Sequence, residues 1–200
     1  MCTIRLVPRR VDHDLRKRQI TDAVVRITVK GGLASATFRE VAAEAGVSVR
    51  LVQYYFGTKD QLLLATQRHV AERSVARIRR LRAETDDGPR HVLHTIMGSF
   101  VPVDDESRDA MLMYIALFTA SLLDPVLKRK EAHDVPASMR HVFAQQLQRA
   151  ELRPGVDPDQ EALILLTVVT GLSQGVLDGQ ITTTEAFRLI DYTLDRAMRN

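Results

Sequence analysis

This 200-residue sequence predicts an all-α fold of about nine helices, on three observations. No segment alternates apolar and polar residues for long enough to make a half-buried strand. Helix start signals recur ahead of apolar runs: Ser or Thr followed three residues later by Glu or Gln, and Pro at a first helical position. The longest apolar stretches, "MLMYIALFTASLL" (111–123) and "ALILLTVVTGL" (162–172), fall short of the roughly 18–20 residues that span a bilayer, so both read as buried helices.

The elements follow in order. Residues 1–13 read as a flexible N-terminal arm. A first helix covers about 14–30, with Ile20, Val24 and Ile27 along one face and Ala23 beside them, and stops at Gly31-Gly32. Thr37 and Glu40 form a capping box for a helix over 38–45, which buries Phe38, Val41, Ala42 and Ala45 and ends at Gly46. Ser48 caps a short helix over 49–56, and Gly57 breaks it. A second box, Thr58 with Gln61, opens a long helix over 59–82 whose charged face runs through Arg68, Glu72 and Arg79. The polar stretch "ETDDGP" (84–89) is the best candidate boundary. Beyond it helices are expected at about 89–100, 107–123, 125–133, 137–151, 159–178 and 183–198. Their start signals are Pro89, Ser107, Asp124-Pro125, Ser138, Asp157-Pro158 and the box Thr182 to Glu185.

Composition narrows the class. Apolar residues make 45% and charged residues 26%, which is globular rather than disordered. Cys2 is the one cysteine, so neither a disulfide framework nor a Cys-rich metal site is expected, and a reducing cytoplasm is. "MCTIRLVPRR" lacks the long apolar segment of a secretion signal. Residues 1–60 carry 11 Lys/Arg against 6 Asp/Glu, a balance of +5, while the other 140 carry 17 against 19. A basic first part on a nearly neutral body points to a polyanion partner for that part.

Helices over 38–45 and 49–56 joined at Gly46 have the dimensions of a helix-turn-helix. Within the second, Val52 and Phe56 lie one turn apart, and that face packs inward, with Val47 preceding it. Val49, Arg50, Gln53 and Tyr54 fall on another face, nearer solvent. The guanidinium fork of Arg50 suits the O6/N7 edge of guanine, and Gln53 suits adenine or a phosphate. Tyr54 and Tyr55 can give their hydroxyls to phosphate oxygens, and Lys59 begins a helix whose free N–H groups already favour an anion.

"TFREVAAEAGVSVRLVQYYFGTKDQLLLAT" resembles the N-terminal DNA-binding domain of the TetR family of bacterial repressors. The resemblance rests on Thr37, Val41, Ala42, Ala45, Gly46, Val47, Ser48, Val52, Tyr55, Phe56, Thr58, Lys59, Asp60 and Leu62. It implies a DNA-facing set of Thr37, Arg39, Ser48, Val49, Arg50, Gln53, Tyr54, Tyr55 and Lys59. The family often has tyrosine where this chain has Gln53. It also implies a division into a helix-turn-helix domain over 14–60 and an effector-binding and dimerisation domain over 61–200. The implied partners are a palindromic operator in double-stranded DNA, a second copy of the chain, and a small-molecule effector that lowers operator affinity; no membrane is implied. A bacterial cytoplasmic protein, associated with the nucleoid when on its operator, is the expected setting.

The last two helices are then expected to pair with their two-fold mates through Leu163, Leu166, Val169, Thr170, Val176, Phe187, Ile190 and Leu194. Soft apolar side chains in the central helices, with one histidine, are the candidate effector lining: His94, Met97, Phe100, Met111, Tyr114, Phe118, Met139 and Phe143. Each reads equally as plain core. Two alternatives stay open: an activator of the same fold, and a metal-responsive regulator using His91 and His94, which stand three apart on one expected helix. No catalytic residue or cofactor is expected. The sequence has no Glu-x-x-His pair, His-Glu-x-x-His motif, glycine-rich phosphate loop or nucleophile elbow.

Overall fold

The computed structural model describes residues 9–83, 87–123 and 134–199. The expected helix over 125–133 lies outside them. Among the described residues there are nine α-helices: α1 (Arg9–Gly31), α2 (Phe38–Glu44), α3 (Val49–Phe56), α4 (Lys59–Arg82), α5 (Pro89–Phe100), α6 (Asp105–Leu123), α7 (Asp134–Gln148), α8 (Pro158–Leu177) and α9 (Thr183–Ala197). A single 3-10 turn, Leu33–Ser35, links α1 to α2.

Most helix ends form where the side chains dictate them. Thr58 and Gln61 exchange both bonds of their box, each at 3.2 Å, and Thr182 and Glu185 do the same. Asp157 caps α8 by accepting from the Gln160 N–H at 2.9 Å, with Pro158 at the first position. Three ends differ from expectation. Helix α1 is described from Arg9 on, ahead of the expected Asp14, with no helix breaker between the two, so the helix takes in part of the expected arm. Helix α6 starts at Asp105: Asp104 rather than Ser107 is the cap, accepting the Ser107 N–H at 2.9 Å. Helix α7 is described from Asp134 on, so the expected cap Ser138 lies inside the helix. The Thr37 box is half made. Its hydroxyl accepts the Glu40 N–H at 3.2 Å, but the Glu40 carboxylate turns to Arg39 at 3.5 Å.

Two apolar cores result. One joins Ile20, Ala23 and Val24 of α1 to Val41 and Ala42 of α2, Val52 and Phe56 of α3, and Leu62 and Leu63 of α4. It also takes in Met113 and Leu117 of α6, so a helix beyond α4 reaches into the core of α1–α4; that helical group is called the head below, and the later helices the body. The other packs α5, α7, α8 and α9 around Leu93, Met97, Phe143, Leu147, Leu165, Val169, Ile190 and Leu194. Gly98 lets α9 approach closely there, since a Cβ on it would lie 2.7 Å from the Phe187 ring. Helix α8 has 20 residues and is apolar enough to cross a membrane by length and composition. Ala162, Leu165, Val169 and Ser173 nevertheless pack into its own body.

Candidate nucleic-acid interface

The turn between α2 and α3 is set by Gly46, whose φ of 64° is strained for any residue with a Cβ, and by Ser48, which accepts the Leu51 N–H at 3.2 Å. With α3 anchored by Val52 (0% exposed) and Phe56 (6%), its opposite side must face water. Val49, Arg50, Gln53 and Tyr54 are all exposed, Tyr54 at 72%. Among the described residues the Arg50 and Lys59 head groups have no ion-pair or hydrogen-bond partner, so neither charge is neutralised by them. An exposed cation without an internal partner is free to meet a phosphate or a base edge.

Gly57, with φ of 65°, ends α3 and turns the chain so that Lys59 stands at the first residue of α4. The first turn of α4 thus follows α3 after only Gly57 and Thr58, and its free N–H groups favour an anion. Thr37 and Ser48 hold the starts of α2 and α3, each hydroxyl taken by a backbone N–H of its own helix, and Arg39 stands well exposed. Tyr55 is half-buried against the head core. Its ring lies edge-on to His13 of α1 at 5.2 Å between centroids and to Tyr54 at 5.4 Å.

A chain of polar contacts runs from head to body. Asp22 of α1 accepts from His69 at 2.8 Å and from Arg73 at 3.3 Å, both on α4. Arg77 donates to Asp104 at 2.8 Å and to Glu106 at 3.3 Å, and Arg80 reaches Glu106 at 3.2 Å. The backbone N–H of Ser107 first, then its hydroxyl and Arg77, hold the Asp104 carboxyl down at about 2 against the opposing effect of burial. These contacts border a small cleft of about 30 Å³, lined by Val25, Val70, Arg73, Ser74, Arg77, Ser99, Glu106, Ser107, Asp109 and Ala110.

None of the expected effector-lining residues borders that cleft, and they do not form one group. Met97 and Phe143 (both 0% exposed), with Phe100 and Met139, pack into the body core. Met111 is buried on α6; Tyr114 is half-buried and stacks on Phe118 at 6.0 Å, and Phe118 is exposed. His94 turns to Phe187 and stands 3.7 Å from Asp191, while His91 is exposed. Among the described residues no third ligand-type side chain joins these two histidines.

The expected pairing face needs correction. Val169, Ile190 and Leu194 are fully buried inside the single chain, so their side chains offer no surface to a second copy. Leu166, Thr170, Val176 and Phe187 are partly covered, and only Leu163 stands well out, at 49%. The exposed apolar side chains that the sequence reading missed are Ile164 on α8 and Leu189 and Tyr192 on α9, with Gly171 open beside them. On the folded helices, positions 163, 164, 167 and 171 form one stripe and 189 and 192 another.

A basic three-helix head carrying a helix-turn-helix, set on an all-helical body, is the class of protein that reads DNA and reports to a second domain. Residues 20–66 match the family described as bacterial regulatory proteins, tetR family, and residues 89–199 match the BetI-type transcriptional repressor C-terminal family. The chain belongs to the TetR family of transcriptional regulators, with a C-terminal domain of BetI type. It is 31% identical to the HTH-type transcriptional regulator PksA of Bacillus subtilis over 84% of this chain and 81% of that protein. It is 30% identical to the HTH-type transcriptional regulator BetI of Burkholderia mallei over 93% of this chain and 95% of that one. A TetR-family regulator from Rhodococcus sp. shares the fold with a TM-score of 0.81 at 24% identity, over 93% of this chain and all of that one. So does a regulator from Saccharomonospora viridis solved in complex with choline, with a TM-score of 0.75 at 21% identity over 94% and 100%.

Proposed function

We propose that this chain is a homodimeric repressor whose operator affinity falls when a small molecule binds the body. The observation that carries the reading is the core shared between head and body. Met113 and Leu117 of α6 are buried among α1, α2, α3 and α4, so a displacement of α6 reaches the helices that position α3. Arg50 and Gln53 read base edges in the major groove. Tyr54, Tyr55, Lys59, Arg39 and the capped ends at Thr37 and Ser48 meet the backbone, and Val49 packs against sugar or a thymine methyl.

The head extends over about 14–60 and the body over 61–200. Two copies pair through the uncovered apolar side of α8 and α9, where Leu163, Ile164, Leu189 and Tyr192 lie exposed. Only 22% of the apolar span of α8 is buried by its own chain, which suits a helix completed by a partner. Two reading heads would then sit about 34–36 Å apart on a palindromic operator.

For the effector, the Saccharomonospora viridis relative was solved with choline, and BetI-type regulators supply the matching C-terminal family. Tyr114 and Phe118 present stacked aromatic rings on α6, and aromatic faces attract a quaternary ammonium through cation–π contact. A choline-like cation is therefore the first effector to test. The protein would act in the bacterial cytoplasm, on the nucleoid when bound. A gel shift on the DNA upstream of its own gene tests the reading. Sequence-specific binding that weakens steeply with salt, and weakens again with choline, is expected. Identical affinity with and without every ligand that binds the body would refute the repressor mechanism.

A further inference from the structure

Tyr55 is the central ring of an aromatic cluster at the end of α3. Tyr54 stands edge-on at 5.4 Å, Phe56 is tilted at 6.3 Å, and His13 lies edge-on at 5.2 Å and also 6.5 Å from Tyr54. All four separations fall within the range of about 4.5–7 Å in which aromatic rings attract. Tyr54 and Phe56 are the chain neighbours of Tyr55 and move with it. His13 is different, because it comes from α1. It is the one ring of the cluster that ties Tyr55 to another helix of the head, and it lies in the segment expected from sequence to be a loose arm.

We propose that His13 is a positioning residue for DNA binding: its imidazole ring, T-shaped against Tyr55, fixes the Tyr55 ring so that the phenol hydroxyl is presented to the DNA backbone. His13 packs against Tyr55 and Tyr54 while remaining exposed, so a direct phosphate contact is the rival role that the test separates. A side chain with two free torsions loses part of a hydrogen bond's worth in being ordered, and a ring already held loses less. The inference rests on the reading that Tyr55 faces DNA.

The test uses the full chain and a mixed-sequence duplex of about 30 bp at about 50 mM salt, where backbone contacts dominate, read by fluorescence anisotropy. Tyr55→Ala and His13→Ala should each weaken binding about fivefold, the worth of one ordinary hydrogen bond. The double variant should be no weaker than Tyr55→Ala alone. His13→Phe keeps a ring edge without the nitrogens and should restore affinity, with an unchanged melting temperature. If His13→Phe loses as much as His13→Ala and the salt slope becomes shallower, His13 touches phosphate itself and the positioning role is wrong. Full affinity in His13→Ala beside a weakened Tyr55→Ala overturns the inference and leaves the DNA face standing. Full affinity in Tyr55→Ala removes both.

Discussion

Truncating Met113 to alanine probes the junction on which the proposed coupling rests. Met113 is 0% exposed and belongs to a body helix, yet its neighbours are the core residues of the head. The substitution deletes three heavy atoms from that core. At about 0.8 kcal/mol per buried methylene-sized group, the lost transfer free energy is about 2.4 kcal/mol. Incomplete collapse of the site adds to this, and Met→Ala changes in well-packed cores cost about 2–5 kcal/mol, so about 3 kcal/mol is expected. For a chain of this size each kcal/mol lowers Tm by about 2–4 °C, giving a fall of about 6–12 °C. Urea unfolding followed by circular dichroism, at one fixed protein concentration, measures it. Leu122→Ala is the control: that side chain is on the same helix but 62% exposed, and its loss should cost less than about 0.5 kcal/mol. A Met113→Ala loss below about 1 kcal/mol, or equal to the control, would show that α6 does not share the head core in solution.

Other outcomes follow from the same geometry. Arg50→Ala should cost about 1–3 kcal/mol on the operator and relax preference at one base position, whereas an equal loss on operator and random DNA would make Arg50 a phosphate contact. Lys59→Ala should weaken all sequences alike and make the salt slope shallower by about 1; an unchanged slope removes it from the interface. Ile164→Glu places a charge in the uncovered stripe of α8 and should shift the chain to monomer in analytical ultracentrifugation while its helical content holds; an intact dimer would place the interface elsewhere. Asp104 has a carboxyl depressed to about 2 in the folded state, so the stability it lends is present above the ordinary aspartate range and is lost as pH falls from about 4 toward 2. The Tm gap between wild type and Asp104→Asn should close over that window; a constant gap would mean that the charge at Asp104 is not what stabilises the start of α6.

The sequence made the head legible because every signal there is local. Thr58, Gln61, Gly46, Gly57 and Ser48 act within four residues of themselves, and the spacing of Val52 and Phe56 decides which side of α3 faces out. Long-range contacts were not legible. Nothing near Met113 in sequence says that it fills the head, and nothing near His13 says that it will lie against Tyr55, 42 positions away. The body failed for a related reason. Helix α8 is apolar nearly all round, so its pattern could not tell the side facing its own core from the side left open, and Val169 was assigned to the wrong one. The soft residues of the centre were read as one lining because they are alike. Packing divides them between a filled core around Met97 and Phe143 and the α6 residues Tyr114 and Phe118.

The head is therefore not held by α4 alone, and this changes what a switch requires. If α4 were the sole link, a ligand would have to tilt a 24-residue helix as a rigid rod. With α6 plugged into the same core, and with Arg77 and Arg80 of α4 held by Asp104 and Glu106 around the start of α6, the two helices must shift together or separate. The Arg80–Glu106 pair is exposed and contributes about 0–1 kcal/mol, whereas the Arg77 side chain is only 14% exposed and fixes the register of α4 on α6. The apolar peg carries the larger share, about 3 kcal/mol from Met113 alone by the same arithmetic. Allosteric coupling of about 1–3 kcal/mol changes operator occupancy 5- to 150-fold. On the proposed mechanism, a ligand that disturbed even part of the Met113 and Leu117 contact would act on a reservoir of the size such coupling needs.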